Sequence, residues 1–570
     1  MSAATRRPIR EPLIIGALLV LGVLLPFAIS AIAGSLEIPR NDDWTYRRIA
    51  LGLARDGRLV LEGASRPMLV GQVLASQPFL WMSGLQAWGF AAVGLVFAGG
   101  ATIGAYAMAR QVLRPSLAAI PALLLVIFPG YLAYATSFMT DVPAMAATFL
   151  CLAVGGMAVR RRPVSMGLLV ASIAVGFFAF SVRQFAVAAP VSVLLAALCA
   201  EPRRRGTWAS AVVLAAGCAG LYLWERGLPG QFGDVPDYAG GASRIILSLT
   251  SATLVLAPAA LVAAARWRRH WRPWDVAIGA EIGLLLVGLR VVQWLSGAPT
   301  PTVLLDNLMS PWGAPGRNIV AGGRPQLFAD PLWGLIGVLA MAALVITLAI
   351  AVGIGGTHLR RWRATRPRSP AAFGRPPGLL FVFAAITTLG LIPFGLGNPM
   401  FDRYLWPLVP VLATLLLYVP ADLAAVALDD GTDRGWRWSG AAAIVVGAML
   451  AATSMAYMLN SHAFDAGRWR AGEALERLGI PAAEIDAGYE WVGDHATTVA
   501  VAPRPSTGPT SYLDLWPAFR GCGLVSADPR PPAGAERVGS IEYRLLLVAG
   551  PLETLYLYRL SGDGCPAGGG

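Results

Sequence analysis

The chain has 570 residues, of which 56% are hydrophobic and 14% charged, with a mean hydropathy of +0.59. A soluble protein of this size could not solvate so much apolar surface, so the composition points to a polytopic membrane protein. The formal charge of +12 comes from arginine alone, because the chain has no lysine. In a membrane protein such a balance reports loop charge and contact with anionic lipid rather than nucleic acid.

Apolar runs long enough to cross a bilayer recur from Pro12 to Leu459. They lie at about 12–34, 86–109, 117–135, 142–159, 164–181, 184–200, 208–224, 245–265, 274–296, 331–353, 378–396, 404–420 and 438–459, which predicts about thirteen transmembrane helices. The first run follows "RRPIRE" and continues without an A-x-A-like cleavage site, so it reads as a retained span. Alternate loops share 23 arginines on one side of the membrane against 12 on the other. The positive-inside bias then puts the N-terminus in the cytoplasm and the tail after Asn460 outside. An abundance of Ala, Gly, Arg and Pro suggests a GC-rich bacterial genome, and hence a bacterial inner membrane.

Six of the outer arginines crowd the first outer loop, at Arg40, Arg47, Arg48, Arg55, Arg58 and Arg66. Tyr46, Ile49, Ala50, Leu53 and Ala54 form an apolar stripe at helical spacing, with Arg47, Arg48, Arg55 and Asp56 opposite. This predicts an amphipathic helix on the membrane surface, its basic face toward lipid head groups or a lipid-linked phosphate. The outer loop at about 297–330 is rich in Pro and Gly and carries Asp306, Arg317, Arg324 and Asp330. The tail mixes charge with turn residues, a helix at "RWRAGEALERLG" and strand-like alternation in "YRLLLVAG" and "LETLYLYRL". The expected organisation is a membrane domain over 1–460 and a small α+β soluble domain over 461–570. Cys522 and Cys565 are the only cysteines in that tail, and a disulfide between them fits an exported domain.

Several short segments combine acids and arginines. In "NDDWTYRRIA" a single Asn or Asp could cap the helix that follows. One cap explains one side chain, whereas an Asp pair can provide a general base and a metal or positioning ligand. Asp141 in "MTDVPA" stands at a helix start with Pro143 behind it, again a capping signal. Arg183 and Gln184 lie between two apolar runs, and "FDRYLWPLVP" puts Asp402, Arg403 and Tyr404 at the end of another. Such arginines can merely snorkel. Under the arginine-derived topology, however, all these groups emerge on one membrane face. Carboxylates and arginines at one interface suit transfer from a phosphate leaving group, with Arg holding phosphate and Asp deprotonating an attacking hydroxyl.

"DDWTYRRIA" directly after the first span resembles the Asp-(Glu/Asp)-x-x-Tyr-x-x-Ile-Ala segment of GT-C superfamily glycosyltransferases. "MTDVPA", "RQ" and "DRYLWPLVP" follow in the order and spacing of the family that includes protein mannosyltransferases, the lipid A aminoarabinose transferase and the galacturonosyltransferases of the lipopolysaccharide core. "GYEWVGDH" in the tail is similar to a subset of uncharacterised bacterial members. The resemblance implies transfer of a sugar from a polyprenyl-phosphate donor to a glycan, lipid or protein acceptor on the outer face, usually with inversion. It assigns Asp42 as base, Asp43 as its acidic neighbour and Asp141 as the second loop acid. Arg183 and Arg403 would hold the donor phosphate, with Gln184 and Tyr404 beside them and Tyr46 shaping the site. The chain departs from the family in having Asp43 where many members have Glu, and in offering no evident His partner. A divalent metal stays open, with Asp43 as its candidate ligand. Asp43 is expected to cap the helix and so turn Asp42 toward the acceptor.

Rival classes are a transporter or flippase, and a polymerase or ligase of polyprenyl-linked glycans. A transporter favours mid-membrane charges and inverted repeats. Here Glu281 and Arg290 are the main mid-span charges and no internal repeat is evident. A tail acting as a binding module on a mere anchor would not need so many spans.

Overall fold

A computed structural model describes residues 10–61, 67–230, 241–296, 304–305, 307–365, 373–398, 400–426, 434–498, 501, 510–561 and 565. Arg66 and Asp306 lie outside the described residues. Each of the thirteen apolar runs coincides with helix. Eight helices among the described residues are long and apolar enough to cross a membrane, from Glu11–Ala33 to Trp438–Arg477. With Pro273–Leu295 and four shorter apolar helices, they make an all-helical multi-pass bundle.

Packing inside the bundle relies on small residues, as expected where lipid removes the hydrophobic drive between helices. Pro273–Leu295 lies so close to Asp330–Thr365 that a Cβ on Gly283 would fall 2.7 Å from the Val345 Cα. Outer faces stay apolar: Arg205–Glu225 exposes Trp208, Val212, Val213, Leu223 and Trp224, the surface a lipid tail would cover.

Three of the apolar runs fail to continue as α-helix. Pro115–Val126 stops before Phe128–Gly130, where Gly130 takes φ 89° and Leu308 packs into the space a Cβ would fill. Met166–Val182 ends at an extended Arg183, followed by a 3-10 turn over Gln184–Val187. Another 3-10 turn, Asp402–Leu405, precedes the ten-residue helix Leu408–Leu417. At 1.5 Å per residue that last helix is roughly 15 Å long, about half a bilayer core. Irregular backbone at such depth needs burial in protein or a polar cavity. Arg183, Gln184, Arg403 and Tyr404 sit at these breaks.

The tail forms a four-stranded sheet of β1 Ile485–Asp486, β2 Gly523–Ser526, β3 Ala535–Leu546 and β4 Ala549–Leu560, in the order β1-β2-β4-β3. β1 pairs parallel to β2, and the other neighbours are antiparallel. The two alternating segments read from the sequence are the β3–β4 hairpin, which turns at Leu547 with φ 64°. Its inner face packs Tyr543, Leu555 and Leu557 on Phe464 and Leu475.

Phe464 and Leu475 belong to the last membrane helix. Arg434–Arg477 runs for 44 residues without a break, through the expected boundary at residue 460 and into the helix read separately at "RWRAGEALERLG". The polar stretch of Asn460, Ser461, His462 and Asp465, which falls at the expected start of the soluble tail, is fully buried helix. Membrane bundle and tail therefore share one element.

Cys522 and Cys565 are joined by a disulfide, while Cys151, Cys199 and Cys218 are free. The bridge closes 43 residues of sequence around the sheet. Cys522→Ser is expected to lower the unfolding free energy of the tail by roughly 2–4 kcal/mol. Thermal unfolding of the detergent-solubilised full chain, with and without reductant, checks this. Reductant should lower the wild-type midpoint and leave that of the variant unchanged.

Candidate active site

The two acids of "NDDW" part company at a kink. Asn41 has φ 52°, a left-handed conformation that Asn tolerates better than other non-glycine residues. The helix Asp43–Asp56 then begins, and Asp42 occupies its N-cap position without a side-chain cap bond. Asp43 does not cap either. Its carboxylate turns inward, fully buried, and pairs with Arg47 one turn on, at 2.5 Å from Nε. Asp43 Oδ2 also accepts from the Phe138 N–H at 3.0 Å. Burial pushes the Asp43 carboxyl above its usual range, against the pull of Arg47 and the Phe138 N–H. Arg47 donates further to the Glu37 carbonyl, and Arg48 to the Gly493 and Ala496 carbonyls of the tail. The helix is amphipathic as read, but Arg47 and Arg48 serve the protein itself. Arg55 and Arg58 are both exposed.

Asp42 faces the other way. Its side chain keeps 28% of its surface exposed, against 3% for Asp141 and 0% for Asp43. Tyr489 Oη donates to Asp42 Oδ1 at 2.8 Å and Asn41 Nδ2 to Oδ2 at 2.8 Å. The Arg403 guanidinium stands 3.8 Å away.

Asp141 opens the helix Asp141–Arg160 yet caps nothing. Both its oxygens face Arg183 at 3.1 Å, and Arg183 Nε donates to Thr140 Oγ1 at 2.7 Å. The extended backbone at Arg183 swings this side chain across to the neighbouring helix start, so it does not snorkel. Arg403 is also buried, 4.0 Å from Asp141. It therefore lies between Asp42 and Asp141. Its Nε and Nη1 have no hydrogen-bond partner among the described residues. The Tyr404 ring contacts both guanidinium groups, at 5.6 Å from Arg183 and 5.9 Å from Arg403, a cation–π separator between like charges. Tyr46 is buried in the charge field of Asp42, Arg183, Arg403 and Asp141, and Gln184 lies half-buried beside Arg183.

Asp402, next to Arg403 in sequence, points elsewhere. It accepts from the backbone N–H groups of Leu308 and Met309, pinning the segment around residues 307–310 to the 3-10 turn that carries Arg403. Tyr131 and Tyr134 pack edge-on against Trp406, their buried hydroxyls without a geometrically good hydrogen bond among the described residues. The Tyr134 hydroxyl lies within the field of Arg403 and Asp42.

The tail supplies residues that sequence reasoning did not select. Tyr489 and Glu490 come from "GYEWVGDH", the one tail segment singled out as a motif. Glu490 accepts from the Asn41 N–H at 2.9 Å and pairs with Arg468 at 2.7 Å. A buried chain continues from Arg468 to Asp465, to Arg40 and on to His462, Ser35 and Thr136. Period and composition could not reveal it, because its members are far apart in sequence.

The donor set does not fit a metal held by Asp43. Both its oxygens are taken, by a guanidinium and a backbone N–H, and a guanidinium stands between Asp42 and Asp141. Among the described residues no three His, Cys, Asp or Glu side chains group as ligands. His462 Nδ1 is occupied by Arg40 and Ser35, and its Nε2 has no hydrogen-bond partner among the described residues.

The chain is thus a multi-pass membrane protein whose interrupted helices gather two carboxylates and two arginines under a small α+β tail. No protein-family model matches it, and no curated protein sequence does. Among solved structures it is similar to ArnT from Cupriavidus metallidurans bound to undecaprenyl phosphate. That match has 12% identity and a TM-score of 0.40, and covers 96% of this chain and 99% of that one. It is also similar to the archaeal oligosaccharyltransferase AglB from Archaeoglobus fulgidus in complex with an inhibitory peptide and a dolichol-phosphate. Here identity is 15% and the TM-score 0.38, over 85% of this chain and 61% of that one. The apo form of that oligosaccharyltransferase gives 15% and 0.43, and the chain spans 62% of its length. Both are GT-C membrane glycosyltransferases, the superfamily its motifs resemble. A likeness at this level assigns no residue a role.

The two adjacent acids are expected to separate in experiment. Asp43→Asn leaves Arg47 buried without its charge partner and should cost roughly 3–5 kcal/mol. Asp42→Asn should leave the unfolding midpoint near wild type. Thermal unfolding of both purified variants checks this.

Proposed function

We propose that the protein is a membrane glycosyltransferase that moves a sugar from a polyprenyl-phosphate donor to an acceptor hydroxyl. One observation carries the reading. Arg403 is a buried guanidinium with two nitrogens lacking hydrogen-bond partners among the described residues, set between two carboxylates at a break in the helices. A buried cation with unmade hydrogen bonds is costly, and an anionic ligand that accepts from it would offset that cost. A phosphate in reach of Arg403 lies beside Asp42, the one acid of the three with an accessible face.

In this reading the acceptor hydroxyl gives its proton to Asp42 while its oxygen bonds to the anomeric carbon. The bond from that carbon to the phosphate oxygen breaks, and polyprenyl phosphate leaves with its new negative charge facing Arg403. Arg183 has its donors committed to Asp141 and Thr140. It holds the second acid and, through Tyr404, supports the position of Arg403; Gln184 completes that turn. Arg183 therefore acts on the phosphate less directly than Arg403. The acceptor is a cell-envelope glycan, lipid or protein.

The topology belongs to the same proposal. The site and the disulfide-bonded tail face the extracytoplasmic side of a bacterial inner membrane, with the N-terminus inside. The membrane domain over 1–460 carries the chemistry, and the residues from 461 onward close it from outside.

Incubation of the purified full chain with a panel of undecaprenyl-phosphate hexoses and pentoses tests the reading. Release of undecaprenyl phosphate is expected from a transferase and not from a transporter. Asp42→Asn should abolish that release at unchanged expression, and near-normal turnover would sink the assignment. Arg403→Ala should weaken undecaprenyl phosphate binding by roughly ten- to a hundred-fold, measured by tryptophan quenching. Arg183→Ala should weaken it less and lower the melting temperature more.

A further inference from the structure

The tail touches the candidate base directly. Tyr489 Oη donates to Asp42 Oδ1 at 2.8 Å, across a sequence separation of 447 residues. The tyrosine is held by its backbone and by neighbouring rings. Gly488, at φ 95°, starts the short helix Tyr489–His495, and the Tyr489 N–H donates to the Ile319 carbonyl at 3.0 Å. Its ring meets Trp44 edge-on at 6.0 Å and packs near Tyr512 and Trp516. Burial, and then the Asp42 carboxylate, push its phenol far above the usual range, so the hydroxyl keeps its proton as a donor.

The neighbouring residue repeats the contact one step back. Glu490 accepts from the Asn41 N–H, the amide at the left-handed kink that aims Asp42. Glu490 is held in turn by Arg468, whose guanidinium is fully buried and donates also to the Ala487 carbonyl. Two consecutive tail residues thus fix two consecutive residues of the first loop, one by its backbone and one by its carboxylate.

From this geometry we infer that Tyr489 is a positioning residue for transfer, fixing the rotamer of Asp42 through a hydrogen bond that the tail supplies. The inference rests on Asp42 as the base of the proposed reaction. Removing the hydroxyl leaves the carboxylate held by the Asn41 side-chain amide on Oδ2 alone, so that it can turn toward Arg403 and lose its alignment with the acceptor, while the donor phosphate site is untouched. A misplacement of about 1 Å in a catalytic group can cost on the order of a hundred-fold in rate.

Tyr489→Phe keeps the ring and its aromatic packing and deletes only the hydroxyl. In the full-length protein in nanodiscs, with the undecaprenyl-phosphate sugar that the wild type consumes fastest, kcat is expected to fall roughly ten- to a hundred-fold. KM for that donor should stay within about two-fold and the melting temperature should hold, because hydroxyl loss touches neither phosphate contacts nor packing. In an Asp42→Asn background the same change should have no further effect on the residual rate. Unchanged kcat in Tyr489→Phe with Asp42→Asn inactive would overturn the role of Tyr489 and leave the base assignment standing. Equal losses in kcat and melting stability would assign Tyr489 to the fold alone. Near-normal turnover of Asp42→Asn would overturn the base assignment and this inference with it.

Discussion

Everything in the site is arranged around a buried arginine, Arg403, whose Nε and Nη1 lack hydrogen-bond partners among the described residues. Arg403 sits between Asp42 and Asp141 at 3.8 and 4.0 Å, too far for good hydrogen bonds and close enough for strong attraction in a low dielectric. Keeping a guanidinium there requires the surrounding backbone to be irregular, because a continuous helix would carry the side chain out to lipid. The 3-10 turn at Asp402–Leu405 supplies that irregularity, and Asp402 pays for it by binding the Leu308 and Met309 amides. The break at Arg183 and the turn before Tyr131 meet it from neighbouring helices. A membrane protein tolerates three such breaks only where protein or a polar cavity covers them.

The segment around residues 307–310 packs on two of these breaks, while the tail meets the first loop, and the long helix Arg434–Arg477 makes that tail part of the bundle. The buried chain from Glu490 through Arg468, Asp465 and Arg40 to His462 ties the tail to the first loop in alternating charges. Such a chain is costly to desolvate and gives little stability by itself. Its effect is geometric: removing any member leaves its neighbour buried and unpaired. The kink at Asn41 therefore has one orientation, and so does Asp42.

Much of this was legible in sequence. Hydropathy found the helices because spans must be apolar whatever their function, and arginine counts placed Asp42, Asp141, Arg183 and Arg403 on one face. The structure brings those four together. Two things were hidden. Interruption of an apolar run, as at 117–135 or 404–420, leaves mean hydropathy unchanged, so the breaks that create the site left no trace in that signal. Burial of polar helix was hidden as well. Asn460, Ser461, His462 and Asp465 fell at the expected start of the soluble tail because Ser35, Arg40 and Arg324, which pair with three of them, lie elsewhere in the chain. "NDDW" was ambiguous for a simpler reason. Adjacent residues at a helix start diverge by about 100°, so two neighbouring acids can have opposite roles, and the sequence does not say which turns inward.

The charge balance of the proposed reaction follows from which acid turned outward. Asp42, Asp141, Arg183 and Arg403 sum to neutrality, and a polyprenyl-phosphate sugar enters with one negative charge. As the bond from sugar to phosphate breaks, the leaving phosphate gains a second negative charge, while Asp42 loses its own by accepting the acceptor's proton. The total within the site stays constant from start to finish. In a partly dehydrated site a change of net charge would be expensive, whereas moving charge from one side of Arg403 to the other is not. Had Asp43 been the base, its proton would have been taken deep in the fold against Arg47, breaking a buried ion pair remote from the phosphate. The geometry that hides Asp43 and exposes Asp42 puts the proposed base beside the same guanidinium that, in the proposed reaction, would receive the leaving group.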